Sequence, residues 1–319
     1  MLYNINSGYG HNVVTQALQG NAGKVFFVSS VTTSNIINRI QQIMVPDPDG
    51  VLRLYTTLNL AVSNCVAGRG DIIFVLPGHT ETISSATALL LNIAGVTIVG
   101  LGNGASRPTF TLDTAATTRI PVSAANITFR NCIFINNFAD IATVFLLTTA
   151  PGFIVDSCEF RDTSSILNAL AIITTTVSVN ADGLTFTNNK LSILGVTAAT
   201  TPIKVATTMA RITISGNTIF KAVLNNTSCL LAHAALVVTE LIMERNRVFS
   251  ANTDSATGGF LITTSATTNS GMVNDNYING LDVAGAILVT AGSKYGMFNN
   301  LYDGDADASG FVLPAIGVN

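Results

Sequence analysis

The sequence predicts an all-β protein folded as a parallel β-helix, a solenoid in which each repeat forms one coil. An eight-residue pattern recurs, short apolar runs lie between its copies, and an amphipathic segment is placed to cap the first coil. The copies start 26, 31, 28, 29, 30 and 24 residues apart, and a period of roughly 20 to 50 residues is typical of repeat architectures. The copies cover residues 127–134, 153–160, 184–191, 212–219, 241–248, 271–278 and 295–302.

Each copy alternates in the way a strand does when one of its faces is buried. Positions one and three are mostly apolar and position two is usually polar or β-branched, which matches the period of two of a β-strand. The residues at position six suit a tight bend. Because coils stack about 4.8 Å apart, position six of one coil lies directly above position six of the next, and asparagine amides there can hydrogen-bond from coil to coil. We therefore predict a structural ladder at position six, formed by Cys132, Cys158, Asn189, Asn217, Asn246, Asn276 and Asn300.

A second set of short runs lies between the copies. Each run is apolar and β-branched, and most of them end in threonine. Such runs, bounded by glycine, asparagine and threonine, favour strands over the helices of an α-helical solenoid. The sequence thus predicts two strands in each coil. The runs are residues 144–149, 170–175, 203–208, 260–264 and 287–290, with a last one at 311–316.

The chain before the first coil is predicted to hold an N-terminal arm and a cap. Residues 1–50 are interpreted as an attachment arm, in which residues 24–29 are typical of a short strand and a helical stripe runs from Ser34 to the stop at Pro46. Residues 51–319 form the β-helix, with a short capping helix at about 52–65. An open solenoid end exposes apolar side chains and unpaired strand edges, so it needs such a cap.

The segment after the predicted cap resembles the pectate-lyase-like superfamily. It begins Ala67-Gly68-Arg69-Gly70-Asp71, continues through an apolar strand to Pro77-Gly78, and is followed by Gly95-Val-Thr-Ile-Val-Gly-Leu-Gly102 in the next coil. This order is similar to the start of the right-handed parallel β-helices of that superfamily. The resemblance covers about residues 52–319 and implies right-handed coiling. It implies little about activity, because one fold hosts many functions.

Composition narrows the classes of function. Only 10% of the 319 residues are charged, compared with about a quarter in typical domains. No apolar run is long enough for a membrane span, the start of the chain lacks the pattern of a secretory signal, and the net charge of −3 provides no basic footprint for nucleic acid. Two explanations of the low charge stay open: hydration by threonine, serine and asparagine, or burial of the outer wall against other subunits. The outward residues Ile154, Ile242 and Met272 fit the second.

The sequence offers one weak candidate for a catalytic pair, Asp156 and Glu159. Glycan-cleaving enzymes on this fold need carboxylates gathered on one face, or aspartates that hold calcium. In the predicted stacking, however, Asp156 falls beside Arg130 and Glu159 beside Lys190, which suits ordinary surface ion pairs. We therefore predict no catalytic residue.

No metal or cofactor site is predicted either. His11, His79 and His233 are far apart and have no ligand neighbours at metal spacing. Asp303, Asp305 and Asp307 alternate as in a calcium loop but lack the later glycine and glutamate of an EF-hand, so a solvated turn is favoured.

Each of two further motifs can be interpreted either as functional or as structural. Arg69-Gly70-Asp71 spells an adhesion tripeptide, yet Gly-Asp here starts a strand. Cys132 and Cys158 fall close enough on successive coils for a disulfide, although two packed thiols are the favoured interpretation.

The chain resembles small β-helix proteins encoded by tailed bacteriophages. The resemblance rests on the repeat, the cap, the lack of a secretory signal and the lack of stacked carboxylates that could form a catalytic site. The resemblance implies a homotrimer that is made in the host cytoplasm and becomes part of the virion. We expect a non-enzymatic decoration protein on the head exterior, attached to the major capsid protein or another virion protein. Two alternatives stay open: a tailspike or tail-fibre component, and a polysaccharide lyase or glycosidase that acts on host surface glycans.

Overall fold

The computed structural model describes residues 23–30, 53–195, 200–222, 228–234, 236–250, 260–264, 268–281, 294–304 and 310–311. These residues form a parallel β-helix with almost no α-helix, which confirms the predicted fold class. The coils contribute strands to three sheets, called sheets 1, 2 and 3 below, whereas two strands per coil were predicted. The third strand arises because the eight-residue pattern contains two short strands joined by a two-residue turn, as in Thr213–Ser215 and Thr218–Lys221.

Sheet 1 is the longest sheet, with eleven strands that all pair in parallel. The first half of the eight-residue pattern supplies its strands from residue 128 onward. In stacking order the strands are Leu54–Tyr55, Val25–Val28, Ile72–Val75, Thr97–Gly100, Thr128–Arg130, Ile154–Asp156, Thr185–Thr187, Thr213–Ser215, Leu241–Glu244, Ser270–Asn274 and Lys294–Phe298.

Sheet 2 has ten strands, mostly supplied by the second half of the pattern. Its last strand, Gly310–Phe311, turns back and pairs antiparallel with Leu301–Gly304, so this end of the predicted 311–316 run joins sheet 2 rather than the second set. The other strands are Thr80–Ile83, Thr109–Leu112, Ile133–Asn136, Glu159–Asp162, Lys190–Ile193, Thr218–Lys221, Arg247–Ser250, Tyr277–Leu281 and Leu301–Gly304.

Sheet 3 has six strands and holds the second set of runs. Its strands are Ile120–Val122, Phe145–Leu147, Ile173–Thr175, Ile203–Lys204, Ser228–Ala234 and Phe260–Thr264. The predicted run at 287–290 lies outside the described residues. A small parallel pair, Met209–Ala210 and Val238–Thr239, sits apart from the three sheets.

The turn between sheets 1 and 2 is a regular corner of the solenoid. Its first residue, position five of the pattern, has a positive φ on every described coil from Asn131 (φ 56°) to Asn299 (φ 54°). We expected the bend at position six, but position five adopts the left-handed conformation. Position six is thereby free to point into the interior.

The N-terminal end of the solenoid is closed by a strand and a helix. Of the predicted arm, residues 23–30 are described, and Val25–Val28 pairs with Leu54–Tyr55 and Ile72–Val75 at the edge of sheet 1. The rest of the arm, including the predicted helix after Ser34, lies outside the described residues. The capping helix is Leu58–Ser63, with Thr57 as N-cap, and it buries Leu58 and two neighbours over the first coil. No helix in the described part of the chain is long and apolar enough to cross a membrane.

The interior changes character along the solenoid. In the early coils, rings stack at position eight: Phe110 on Phe134 at 5.6 Å and Phe134 on Phe160 at 5.1 Å between centroids. In the later coils the same column continues with smaller aliphatic side chains, beginning with Leu191 and Ile219. All of these residues are buried in one continuous core.

Candidate functional site

The five asparagines at position six form a continuous hydrogen-bonded ladder inside the corner between sheets 1 and 2. Asn217 donates to Asn246 Oδ1 from its backbone N–H at 3.1 Å and from Nδ2 at 2.9 Å. Its Nδ2 also donates to Phe186 O on the preceding coil at 2.9 Å. The same pattern repeats at Asn189, Asn246 and Asn276. The ladder ties each coil to two neighbours, so its role is structural.

Cys132 and Cys158 occupy this column on the two preceding coils as buried, unbonded thiols. Burial raises the pKa of Cys158 to about 12 and the pKa of Cys132 well above its ordinary value. A thiol in that state is not a nucleophile at neutral pH. Cys158 joins the ladder through its backbone, whose N–H donates to Asn189 Oδ1 at 2.9 Å.

Glu159 lies on the outer face of sheet 2 among three cations. It accepts from Arg161 Nε at 2.7 Å and from Arg107 Nη2, and its carboxylate faces the predicted partner Lys190 at 3.9 Å. Burial favours the neutral acid, but the hydrogen bonds and charges of Arg161 and Arg107 outweigh burial and lower the pKa of Glu159. Since a general acid needs a raised pKa, this carboxylate is poorly suited to protonate a leaving group.

Asp156 belongs to a separate network on sheet 1. Its carboxylate accepts from Thr187 Oγ1 and Asn188 Nδ2, both at 2.9 Å, and faces the predicted partner Arg130 at 3.6 Å. These contacts join three successive coils. Asp156 and Glu159 therefore act as links between coils, and the two carboxylates do not share one hydrogen-bond network.

His79 and His233 make hydrogen-bond contacts within the solenoid. His11 lies outside the described residues. His79 Nε2 contacts Glu81 Oε2 at 3.1 Å, and the same oxygen accepts from Leu58 N at the start of the capping helix. His233 Nδ1 contacts Leu236 O at 2.7 Å, which only accepts, so Nδ1 carries the proton. Burial lowers the pKa of His233.

Arg69-Gly70-Asp71 is an internal brace. The Asp71 carboxylate is 0% exposed and accepts from Arg69 Nε at 2.6 Å, from Lys24 N at 2.8 Å and from Val66 N at 2.8 Å. Although burial favours the neutral acid, Arg69 and the two backbone donors lower the pKa of Asp71. The carboxylate joins the start of the strand Val25–Val28 to the segment after the capping helix, and it is not accessible to a receptor.

The described residues hold no group of three or more His, Cys, Asp or Glu side chains that could bind a metal ion. The suggested calcium loop is described only in part, because Asp305 and Asp307 lie outside the described residues. Only the backbone of Asp303 is placed, at the end of sheet 2.

Large apolar side chains are exposed on the outer wall of the last coils. On sheet 1, Ile242, Met272 and Phe298 are 40%, 38% and 51% exposed; we call these three residues the ridge. The sequence pattern pointed to Ile242 and Met272, and also to Ile154, which is half-buried. Phe298 was missed as an outer contact, although its column changes from charged to apolar along the sequence.

A groove runs along the outer face of sheet 2 beside the ridge. Arg247, Tyr277 and Leu301 are in register on three successive coils, and the rings of Phe249 and Tyr277 lie 5.8 Å apart. The depression has a volume of about 500 Å³. Its lining, called the groove below, consists of Arg245, Arg247, Phe249, Asp275, Tyr277 and Leu301. The sequence does not reveal the groove because its lining combines the column of Arg247 with side chains of other columns, such as Arg245 and Asp275.

No family model, curated protein or solved structure matches the chain.

Proposed function

We propose that the protein is a non-enzymatic structural component of a tailed-bacteriophage virion, a homotrimer that decorates the exterior of the capsid. The non-enzymatic role is supported by the ion pairs and hydrogen bonds that already occupy the carboxylates of Glu159 and Asp156. Both carboxylates are engaged by cations and hydrogen-bond donors of the solenoid wall, and the pKa of Glu159 is lowered. The side chains best placed to cleave a glycan thus stabilise the stacking of coils.

Two observations support assembly. Only 10% of residues are charged, and large apolar side chains are exposed on neighbouring coils, a combination typical of surfaces that other chains cover. The resemblance to small β-helix proteins of tailed phages supports the place in the virion. The predicted arm, residues 1–50, is proposed as the segment that binds the major capsid protein, except for the strand Val25–Val28, which is part of sheet 1.

Cryo-electron microscopy of the virion tests the location. We expect trimeric density on the capsid shell in wild-type particles and none in particles made without this chain. A shell without such density, or density only at the tail, would contradict the decoration role. Light scattering of the purified chain should give about 100 kDa, three times the chain mass of 33.3 kDa.

An activity assay separates this role from that of a polysaccharide lyase or glycosidase. Capsular and pectic polysaccharides are incubated with the protein, with and without calcium, and reducing ends are measured. We expect no release above buffer. Turnover that disappears in Glu159→Gln or Asp156→Asn would replace the structural proposal by the enzymatic one.

A further inference from the structure

We infer that the protein associates with further copies of itself head to tail, with the ridge on sheet 1 of one copy packed into the groove on sheet 2 of the next. This inference rests on the proposed homotrimer, and it adds the surfaces and the kind of symmetry. It is motivated by the placement of two different, complementary features on adjacent faces of the same coils.

The ridge is contiguous rather than a set of scattered apolar residues. Ile242 and Met272 are direct neighbours in register on sheet 1. Gly296 follows Met272 in that column, so no side chain of the last described strand extends it. Phe298, two residues further along the same strand, is 51% exposed. Three large apolar side chains on three successive strands form a patch of the kind that binding partners cover.

The groove has the composition of a binding surface for such a ridge. Aromatic and arginine side chains are enriched in the buried centre of protein interfaces, and the groove combines two of each. No acid among the described residues lies within ion-pair distance of Arg247. Glu244 lies in register with Asn274 and Phe298 beside the ridge, where it already pairs with Arg245 of its own copy, and Asp275 also lines the groove. The charge that the groove leaves for the next copy is therefore that of Arg247.

The proposed number of copies, three, fixes the type of symmetry. The ridge and the groove lie on sheets 1 and 2, which meet at the corner that contains the asparagine ladder. A contact between two different surfaces is heterologous, and it closes into a ring when the rotation between copies allows. In a closed ring this corner faces the symmetry axis. A two-fold contact could also bring the ridge to the groove, once in each direction, but it would close at two copies.

Light scattering on the full chain tests the inference. Met272→Glu damages only the ridge and Leu301→Glu damages only the groove, and we expect each to reduce the trimer to monomer. Ile166→Glu is the matched control, since Ile166 is 68% exposed and lies on neither surface; it should remain trimeric. Circular dichroism verifies that all three variants are folded.

A mixture of the two damaged variants gives the sharpest result. The intact ridge of Leu301→Glu can enter the intact groove of Met272→Glu, but no third copy can join. We expect a dimer of about 67 kDa, twice the chain mass of 33.3 kDa. A mixture that stays monomeric would show that the intact ridge of one variant does not pack into the intact groove of the other, and would overturn the inference.

The outcomes also separate this inference from the proposed function. If the wild type is trimeric and both damaged variants remain trimeric, the ridge and groove are not the interface, while the structural role is unaffected. If the wild type is monomeric, the inference fails, and the capsid reconstruction alone decides the role in the virion.

Discussion

Replacing Asn217 by leucine tests whether the ladder stabilises the solenoid. The side chain is 0% exposed, and its Oδ1 accepts from the Asn189 backbone N–H at 2.9 Å and from Asn189 Nδ2 at 3.1 Å. Its Nδ2 donates to Asn246 Oδ1 and to Phe186 O. Leucine has the same branched skeleton and number of side-chain heavy atoms as asparagine, so the substitution removes polar contacts without opening a cavity.

The expected loss in the free energy of unfolding depends on which buried groups keep a hydrogen-bond partner after the substitution. The Asn189 N–H loses its acceptor, whereas Asn189 Nδ2 still donates to Val155 O at 3.0 Å and Asn246 Oδ1 still accepts from the backbone at position 217. One buried group is thus orphaned, which costs about 1–3 kcal/mol. The lost bond to Phe186 O adds to this cost, and the apolar surface of leucine offsets part of it. We expect the free energy of unfolding to fall by about 1–3 kcal/mol.

Guanidinium unfolding followed by circular dichroism measures the change. Thr218→Leu is the control, because Thr218 is the exposed next residue and its substitution should leave the midpoint unchanged. Faster amide hydrogen exchange at Asn189 is the local signature. If Asn217→Leu and Thr218→Leu unfold at the wild-type midpoint, the ladder contributes nothing measurable and the reasoning is refuted.

Three further predictions concern single sites. Burial lowers the pKa of His233 below its ordinary value of 6.5; stability is therefore complete above that pH and falls as the pH drops below it, and urea unfolding at about pH 7.5 and about pH 5.5 should differ less in His233→Gln. Gly100→Ala places a Cβ 2.3 Å from a carbonyl oxygen of the next coil, so the unfolding free energy should fall by about 1–3 kcal/mol, whereas Gly296→Ala, with its nearest contact at 3.7 Å, should be tolerated. Arg69→Ala removes the charged partner of buried Asp71 while its backbone donors remain, and thermal unfolding should show a loss of about 1–3 kcal/mol.

The sequence predicts which residues of successive coils lie above one another better than it predicts the strands and turns within a single coil. The alternation within strands and the spacing of the copies are both visible in the sequence. Aligning the copies therefore predicts the whole position-six column, including its last residue, Asn300. The third sheet was missed because a two-residue turn inside the pattern barely interrupts the alternation. The left-handed residue at position five was missed because Arg245 and Asp275 occupy it as well as asparagine and glycine, so no single residue type marks the conformation.

The surface features depend on contacts that sequence spacing does not contain. The carboxylate of Asp71 is held partly by Lys24 N, from a strand 47 residues earlier. Likewise, Glu159 was expected beside Lys190, and the structure adds Arg107, which reaches it from two coils earlier. Neighbours in the same column could be predicted, whereas partners that reach across a turn could not.

The change in the interior bears on where the proposed assembly would stabilise the solenoid. Stacked rings fill the early coils up to Phe160, and large aromatic side chains bury much apolar area in each coil. From Leu191 to Ile278 the column is aliphatic before it ends at Tyr302, and the ladder from Asn189 supplies hydrogen bonds in these coils. These later coils also carry the exposed ridge, so they have the most to gain from a second copy. We therefore expect Met272→Glu to accelerate amide exchange in the later coils and leave the early coils unchanged; equal acceleration in both would show that the coils unfold as one unit and that the interface does not stabilise them selectively.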